Sequence, residues 1–415
     1  MDYLKIEDVA KSWGVSARRI QTLCRDGKID GAIRFGRDWM IPKTAKRPMD
    51  GRTKAARSGA MAIMDADLPF PKKTPFLYMS ELYSRPGTAD ESAAKLEDNY
   101  EAQLLFEAEI AYSRGEIDKV YSSANYLLRK HSGFYAVLSA GMLLALCAIW
   151  RGDLDMWRKA KVHIAEAPAK NDSDRDIMAL SITAVDSMLY DVSGFPDWFK
   201  IGCFEPLHKD ALPAVKIFYA KYLYASAYGV ATKQIDIPGL QGLTLMGLLP
   251  ATLEPMISQA MADSSVMAEA YLRMTCATVY HTCGNDTMAI KHIDRAIALA
   301  LPDKLYGFLA EYCRVLGSLL EQRINAVSPD AWKEVKELYK IYNVGWSHLS
   351  GSVRGKVIIT TLSPREREVA KLASFGMSNS EIADKLYMSL SGVKQAIRIV
   401  SEKTGVGRDE FAAFL

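Results

Sequence analysis

The chain has few of the features that announce an enzyme. No GxxxxGK[ST] stretch occurs, so a module hydrolysing nucleoside triphosphates is not expected. GxSxG, HExxH and any pair of acidic residues spaced for catalysis are also missing, as is the strand–helix alternation that a phosphorylated receiver domain requires. The expectation is a protein that is not an enzyme and carries no cofactor. Cysteine is sparse: the six residues at 24, 147, 203, 276, 283 and 313 form no CxxC pair, and nothing in them indicates export. The chain opens on MDYLKIEDVA, where an exported protein has a charged and then apolar leader. A reducing, cytoplasmic location is expected. Long apolar runs are nearly absent too. The longest, FYAVLSAGMLLALCAIW over 134–150, has 17 uncharged residues. At ~1.5 Å of rise per residue it falls short of a ~30 Å hydrocarbon layer, and its Ala, Ser and Gly content reads as a buried helix. No membrane is expected as a partner.

A length of 415 residues exceeds one compact core and suggests two or three domains. The overall charge of +3 conceals a strong asymmetry: residues 1–75 carry +7, residues 76–353 carry −7 and residues 354–415 carry +3. Two basic ends around an acidic centre are expected where the ends meet a polyanion.

From about Ser80 to Asn343 apolar residues recur at three and four spacings in segments of 12 to 20 residues, the signature of amphipathic helices. AYSRGEID at 111–118, AIWRGDLD at 148–155 and, more weakly, VYHTCGND at 279–286 each set a glycine between two such helices. The 37 residues from Gly115 to Gly152 resemble the spacing of tetratricopeptide (TPR) helical hairpins, although the full consensus is absent. Residues 229–256, with three prolines and four glycines, read as a long loop or a boundary between two helical halves.

Near the end, LSPREREVAKLASFGMSNSEIADKLYMSLSGVKQAIRIVSEKTGV predicts three helices, with a short fourth over DEFAAFL. Ser363 with Pro364 and Glu366, and then Ser378 with Glu381, are capping boxes. Ser389 caps a third helix from Leu390 to about Lys403, with Val393, Ile397 and Val400 turned to the core and Ser391, Lys394, Gln395 and Arg398 turned outward. Two helices joined by a tight turn, with Ala383 at their closest approach, make a helix-turn-helix whose third helix suits the major groove. The segment resembles the LuxR-type DNA-binding domain in LSPREREV, in G-x-SN-x-EIA-x-x-L and in VK followed by K-x-GV. That resemblance implies contact with DNA through the same outward residues and through Ser378 and Asn379. It departs from the family at Gly392, where Thr is usual, and at Ala396, where His is frequent. Glycine within a helix costs ~1 kcal/mol relative to alanine, so the third helix is expected to firm up on DNA. In the family the fourth helix commonly supports dimerisation.

VAKSWGVSARRI at 9–20 returns as IADKLYMSLSGV at 382–393, pairing Ala10 with Ala383, Ser16 with Ser389 and Ile20 with Val393. Residues 2–42 resemble the small winged helix-turn-helix of excisionase and MerR-like proteins, through I-x-x-VA-x-x-x-GVS, R-x-I-x-x-L-x-x-D-GKI and the wing FGRDWMIP. Two short helices are predicted within 1–26 and a hairpin over 33–41, with Ile20, Leu23 and Trp39 closing the core. Arg18, Arg19, Gln21, Thr22 and Arg25 lie on the outer side of the second helix, and Arg34 and Arg37 on the wing, all placed to meet DNA. Residues 46–75 form a basic linker.

Cys276, His281, Cys283 and His292 suggest zinc, but position 281 points about 140° away from 276 on a helix, and no metal site is expected. Trp150, Trp157, Tyr219, Tyr222, Tyr224, Met274 and Trp346 fall at core spacing; a pocket lined by them would suit an apolar effector. The fold class expected is mainly α: a winged helix-turn-helix at 1–45, the linker, a helical-repeat domain at 76–353 and a LuxR-type domain at 354–415. The function expected is a transcription regulator that binds double-stranded DNA with both ends, with RNA polymerase, a small-molecule or peptide effector and a second copy of the chain as further partners. The alternative is a repeat scaffold that binds a peptide and in which one terminal module is regulatory. In one form of it, a basic end is held against the acidic middle until an effector releases it.

Overall fold

The structure, a computed structural model, describes residues 3–25, 29, 31–36, 38–45, 76–79, 82–97, 99–130, 132–232, 242–354, 362–404 and 406–414. The 46–75 linker and Arg37 lie outside them. The chain divides into two compact units, Met1–Asp65 and Ala66–Leu415.

In the first unit a strand not foreseen from sequence, β1 (Tyr3–Lys5), precedes helices α1 (Ile6–Trp13) and α2 (Ala17–Arg25). Strands β2 (Ile33–Phe35) and β3 (Asp38–Pro42) follow, and β3 pairs antiparallel with both of the others. Three residues of period-two pattern are too few to register β1 in a sequence; its ladder with Met40–Pro42 is what fixes it. Ile6, Val9, Ile20, Leu23, Ile29 and Ile41 are buried between helices and sheet, with Trp39 packed at their edge.

The second unit is helical among the described residues. Its main elements are α3 (Ala89–Ala94), α4 (Tyr100–Arg114), α5 (Ile117–Arg129), α6 (Phe134–Arg151), α7 (Leu154–Ala165), α8 (Asp172–Ser187), α9 (Asp197–Lys200) and α10 (Leu212–Ala231). Then come α11 (Gly242–Leu248), α12 (Pro250–Ala262), α13 (Val266–Thr282), α14 (Asp286–Ala300), α15 (Tyr306–Val327) and α16 (Pro329–Arg354). The three glycine junctions join α4 to α5, α6 to α7 and α13 to α14, and the members of each pair pack on one another. Asn99, Asp153, Asn171 and Asn285 cap helices by accepting a backbone N–H, satisfying amides that have no partner within the helix.

Two readings of this unit change. The described part of 229–256 is largely helical: α10 runs through Gly229, and α11 and α12 follow the undescribed 233–241. Pro250 opens α12, where its missing N–H costs nothing, and Pro255 is tolerated inside it. The last helix of the middle extends past Asn343 to Arg354. Helix α6 is long and apolar enough to cross a membrane, with a mean hydropathy of 1.7, but 89% of that window is buried within the protein.

The chain ends with α17 (Pro364–Ser374), α18 (Asn379–Lys385), α19 (Leu390–Thr404) and a 3-10 turn, Arg408–Phe414, where a fourth α-helix was expected. Val369, Ile382, Val393, Val400 and Phe411 form a separate small core.

Candidate nucleic-acid interface

Local chemistry frames the carboxy-terminal module. Both capping boxes form: Ser363 accepts from the Glu366 amide at 3.2 Å and Ser378 from the Glu381 amide at 3.3 Å, and each glutamate bonds back to its cap. Asn379 accepts from Arg408, which also donates to the Met377 carbonyl, so Asn379 ties the final 3-10 turn to α18. The turn between α18 and α19 passes through Tyr387 at φ 51°, and the Met388 amide bonds to the Ala383 carbonyl at 2.9 Å. Ser389 caps α19 by accepting the Gly392 amide at 3.1 Å. Gly392 therefore sits in the capped first turn, where a missing side chain weakens the helix less than it does in the interior. Its cost to the helix is accordingly smaller than that of an interior glycine.

Val393, Ala396 and Val400 bury one side of α19 and Ile397 packs at its margin. Ser391, Lys394, Gln395 and Arg398 are exposed on the other side, with Arg398 paired to Glu402 at 3.4 Å. Lys403 anchors the helix to Glu366 at 2.6 Å. An amide, a hydroxyl and two cations on one open face can contact phosphates and base edges.

The opposite side of the module is docked. Arg367, Glu368 and Lys371 are charged, and a sequence gives no sign that they do anything but face water; here they rest on the helical domain. Lys371 donates to the Tyr224 and Thr282 hydroxyls at 3.3 and 3.2 Å, and Lys385 donates to the Thr282 carbonyl. Phe375 meets the Tyr228 ring edge-on at 5.6 Å. Glu368 accepts from Ser318 at 3.3 Å and from His281 at 2.9 Å, while the other ring nitrogen of His281 meets Asp286 at 2.7 Å. With a carboxylate at each nitrogen, the site favours the protonated ring, which can donate on both sides. Burial opposes that charge, but Asp286 and Glu368 outweigh it and raise the His281 pKa above its ordinary value. Burial lowers the pKa values of Lys371, Lys385 and Arg367. Arg367 is only 4% exposed, and its guanidinium lies beside the Tyr339 hydroxyl, with no hydrogen bond of good geometry and no carboxylate partner among the described residues. The helix beneath is broken at Gly317, whose φ of 52° and ψ of −130° suit only glycine; a Cβ there would lie 3.2 Å from the Glu368 carboxylate.

The amino-terminal unit repeats the turn geometry residue for residue. Gly14, at φ 64°, stands where Tyr387 stands, and the Val15 amide bonds to the Ala10 carbonyl at 3.0 Å as Met388 does to Ala383. Ser16 accepts the Arg19 amide at 3.3 Å as Ser389 accepts that of Gly392, and Ile20 and Val393 are both fully buried. Arg18, Gln21 and Arg25 are exposed on α2, Arg19 and Thr22 half-buried, and Arg34 exposed on β2. The Thr22 hydroxyl turns back to the Arg18 carbonyl at 3.0 Å.

The cysteine–histidine reading needs one revision. Cys276 and His292 do meet, but with Glu254, their ligand atoms all within 4.8 Å, whereas His281 belongs to the docking contact and Cys283 is exposed. Arg273, a donor only, faces His292 Nδ1 at 3.5 Å, so Nε2 carries the proton and donates to Glu254 at 3.0 Å. A metal would need that nitrogen bare. The cluster is a hydrogen-bond network in this arrangement.

A capped helix-turn-helix with one cationic helix open to solvent defines a DNA-binding module. Residues 360–413 match the family model of the bacterial regulatory proteins of the luxR family (GerE). The carboxy-terminal domain is therefore a LuxR-family helix-turn-helix, and it makes the chain a DNA-binding transcription regulator with double-stranded DNA as partner. No curated protein and no solved structure matches the chain.

Proposed function

We propose that this regulator reads duplex DNA with both ends: α19 enters the major groove through Ser391, Lys394, Gln395 and Arg398, framed by Ser378 and Asn379, and the amino-terminal unit acts as a winged helix-turn-helix through Arg18, Arg19, Gln21, Thr22, Arg25, Arg34 and Arg37. The observation that carries the second half is the shared turn, down to the same capping bond and the same buried residue. Linked modules raise each other's local concentration, so two weak half-sites add. The helical middle, whose paired helices resemble tetratricopeptide hairpins, takes an effector or a peptide, and RNA polymerase and a second copy of the chain are partners suited to such a regulator.

Selection of random oligonucleotides by the full chain, repeated with Arg19→Ala and Lys394→Ala, tests this. Each change is expected to erase a separate part of the selected motif and to lower the slope of log affinity against log salt by about 0.9, one phosphate contact's worth. An unchanged motif and slope for either variant removes that end from the reading.

A further inference from the structure

Leu390 opens α19, and 46% of it is exposed. Together with Tyr387, which lies in the turn before the helix, it is one of two large apolar side chains exposed among the described residues of the carboxy-terminal module. It belongs neither to the buried core of that module nor to the residues packed against it. The matching position of the first unit holds Ala17, which packs on the core there, so the shared turn does not call for a large side chain. Helix chemistry does not call for one either. The positive end of a helix favours acidic residues in its first turn. Helices α17 and α18 have Glu366 and Glu381 there, whereas the first turn of α19 has no acidic residue.

An apolar group in that place has one kind of neighbour to meet. Leu390, Lys394 and Arg398 follow one another at four-residue spacing, so they form one row along α19, each step about 6 Å further on and about 40° around the axis. Lys394 and Arg398 are exposed with it. A row with two cations behind an apolar tip suits a surface with phosphates at its rim and an apolar group in its floor. In the major groove of duplex DNA the base edges are donors and acceptors, and the apolar group they display is the C5-methyl of thymine. The first residues of a reading helix are the ones that come closest to those edges. A carboxylate at position 390 would be repelled by the phosphates on the way in, and leucine is not.

We propose that Leu390 seats on the C5-methyl group of a pyrimidine in the major groove and thereby fixes one base of the site that this end of the chain selects. The inference rests on the reading in which α19 enters that groove. Thymine and 5-methylcytosine present the same methyl group, and the test separates them. In the part of the selected motif that Lys394→Ala erases, each thymine in turn is replaced by deoxyuridine, which lacks the methyl, and each cytosine in turn by 5-methylcytosine. One thymine-to-uracil change is expected to weaken binding by the full parent chain about fourfold, the effect of burying one methyl group. The same change should leave the affinity of Leu390→Ala within about 1.5-fold. A duplex in which 5-methylcytosine strengthens the parent about fourfold while no uracil weakens it keeps the contact and assigns it to the methylated base. Leu390→Ala should also keep the parent's slope of log affinity against log salt, because a methyl contact releases no counterion.

Equal binding of all the substituted duplexes by the parent overturns the inference, as does a uracil effect that persists undiminished in Leu390→Ala or a salt slope lowered as in Lys394→Ala. Leu390→Gln, which keeps the length and removes the apolar surface, gives the same comparison should the alanine variant fail to fold. A motif that Lys394→Ala leaves intact removes α19 from the groove and this contact with it. Insensitivity to the methyl group alone leaves α19 in place and removes only Leu390.

Discussion

Arg367 shows how much a single side chain can cost. A buried guanidinium whose nearest polar partner is the neutral Tyr339 hydroxyl forfeits much of the solvation it has in water, and Arg314 adds repulsion. Replacing it with methionine keeps most of the volume and removes the charge. Arg367→Met is therefore expected to stabilise the chain by about 1–3 kcal/mol in denaturant unfolding; a lower midpoint would show that the contact with Tyr339 outweighs the cost of burying the charge. Tyr387 makes the complementary case. It is 89% exposed and held in the left-handed region that costs an ordinary residue ~1–2 kcal/mol, a conformation imposed by the turn, since the equivalent position in the first module is Gly14. Asparagine tolerates that region, so Tyr387→Asn should raise the thermal midpoint of the chain, and a fall would sink the claim of strain.

At the level of elements, the contact of α17 with the helical domain is governed by titration. His281 faces Asp286 and Glu368, with Lys371, Lys385 and Cys283 nearby, and its pKa is raised above 6.5. A raised value in the docked state means that the protonated ring favours docking. The stabilisation is fully present below about pH 6.5 and is lost as pH rises through the raised value. Amide exchange in α17, corrected for its intrinsic pH dependence, should accelerate across that interval in the parent chain and not in His281→Gln. Exchange that slowed as pH rose would reverse the assignment. The break at Gly317 belongs to the same contact. Gly317→Ala has to adopt a backbone closed to alanine and push against Glu368, so it is expected to cost about 2–3 kcal/mol and to loosen α17. An alanine variant with parental stability and exchange would show that the helix can straighten.

Across the whole molecule, the carboxy-terminal module shares a compact unit with the helical domain, while residues 1–65 form a unit with a core of their own. Calorimetric unfolding should accordingly show a small transition for the first unit and a larger one in which the LuxR-type module melts together with the helices that hold it. A third transition for residues 362–414 alone would mean that docking contributes little. Because the module docks through α17 and Lys385 while Lys394, Gln395 and Arg398 stay exposed, the docked state leaves the reading face of α19 open.

Much of this was legible in the sequence because it is local. Capping boxes, the glycine junctions and the repeated turn depend on residues three to five apart, and the boxes at Ser363 and Ser378 and the pairing of Ser16 with Ser389 follow from spacing alone. The amphipathic period likewise fixed which side of α19 is buried. Tertiary structure decided everything that depends on distant partners: Glu368 against His281, 87 residues apart; Lys371 against Tyr224, 147 apart; a strand as short as β1. A helix pattern records that a face is polar. Whether water or another helix satisfies that polarity depends on where the chain returns, and only the folded molecule carries that information.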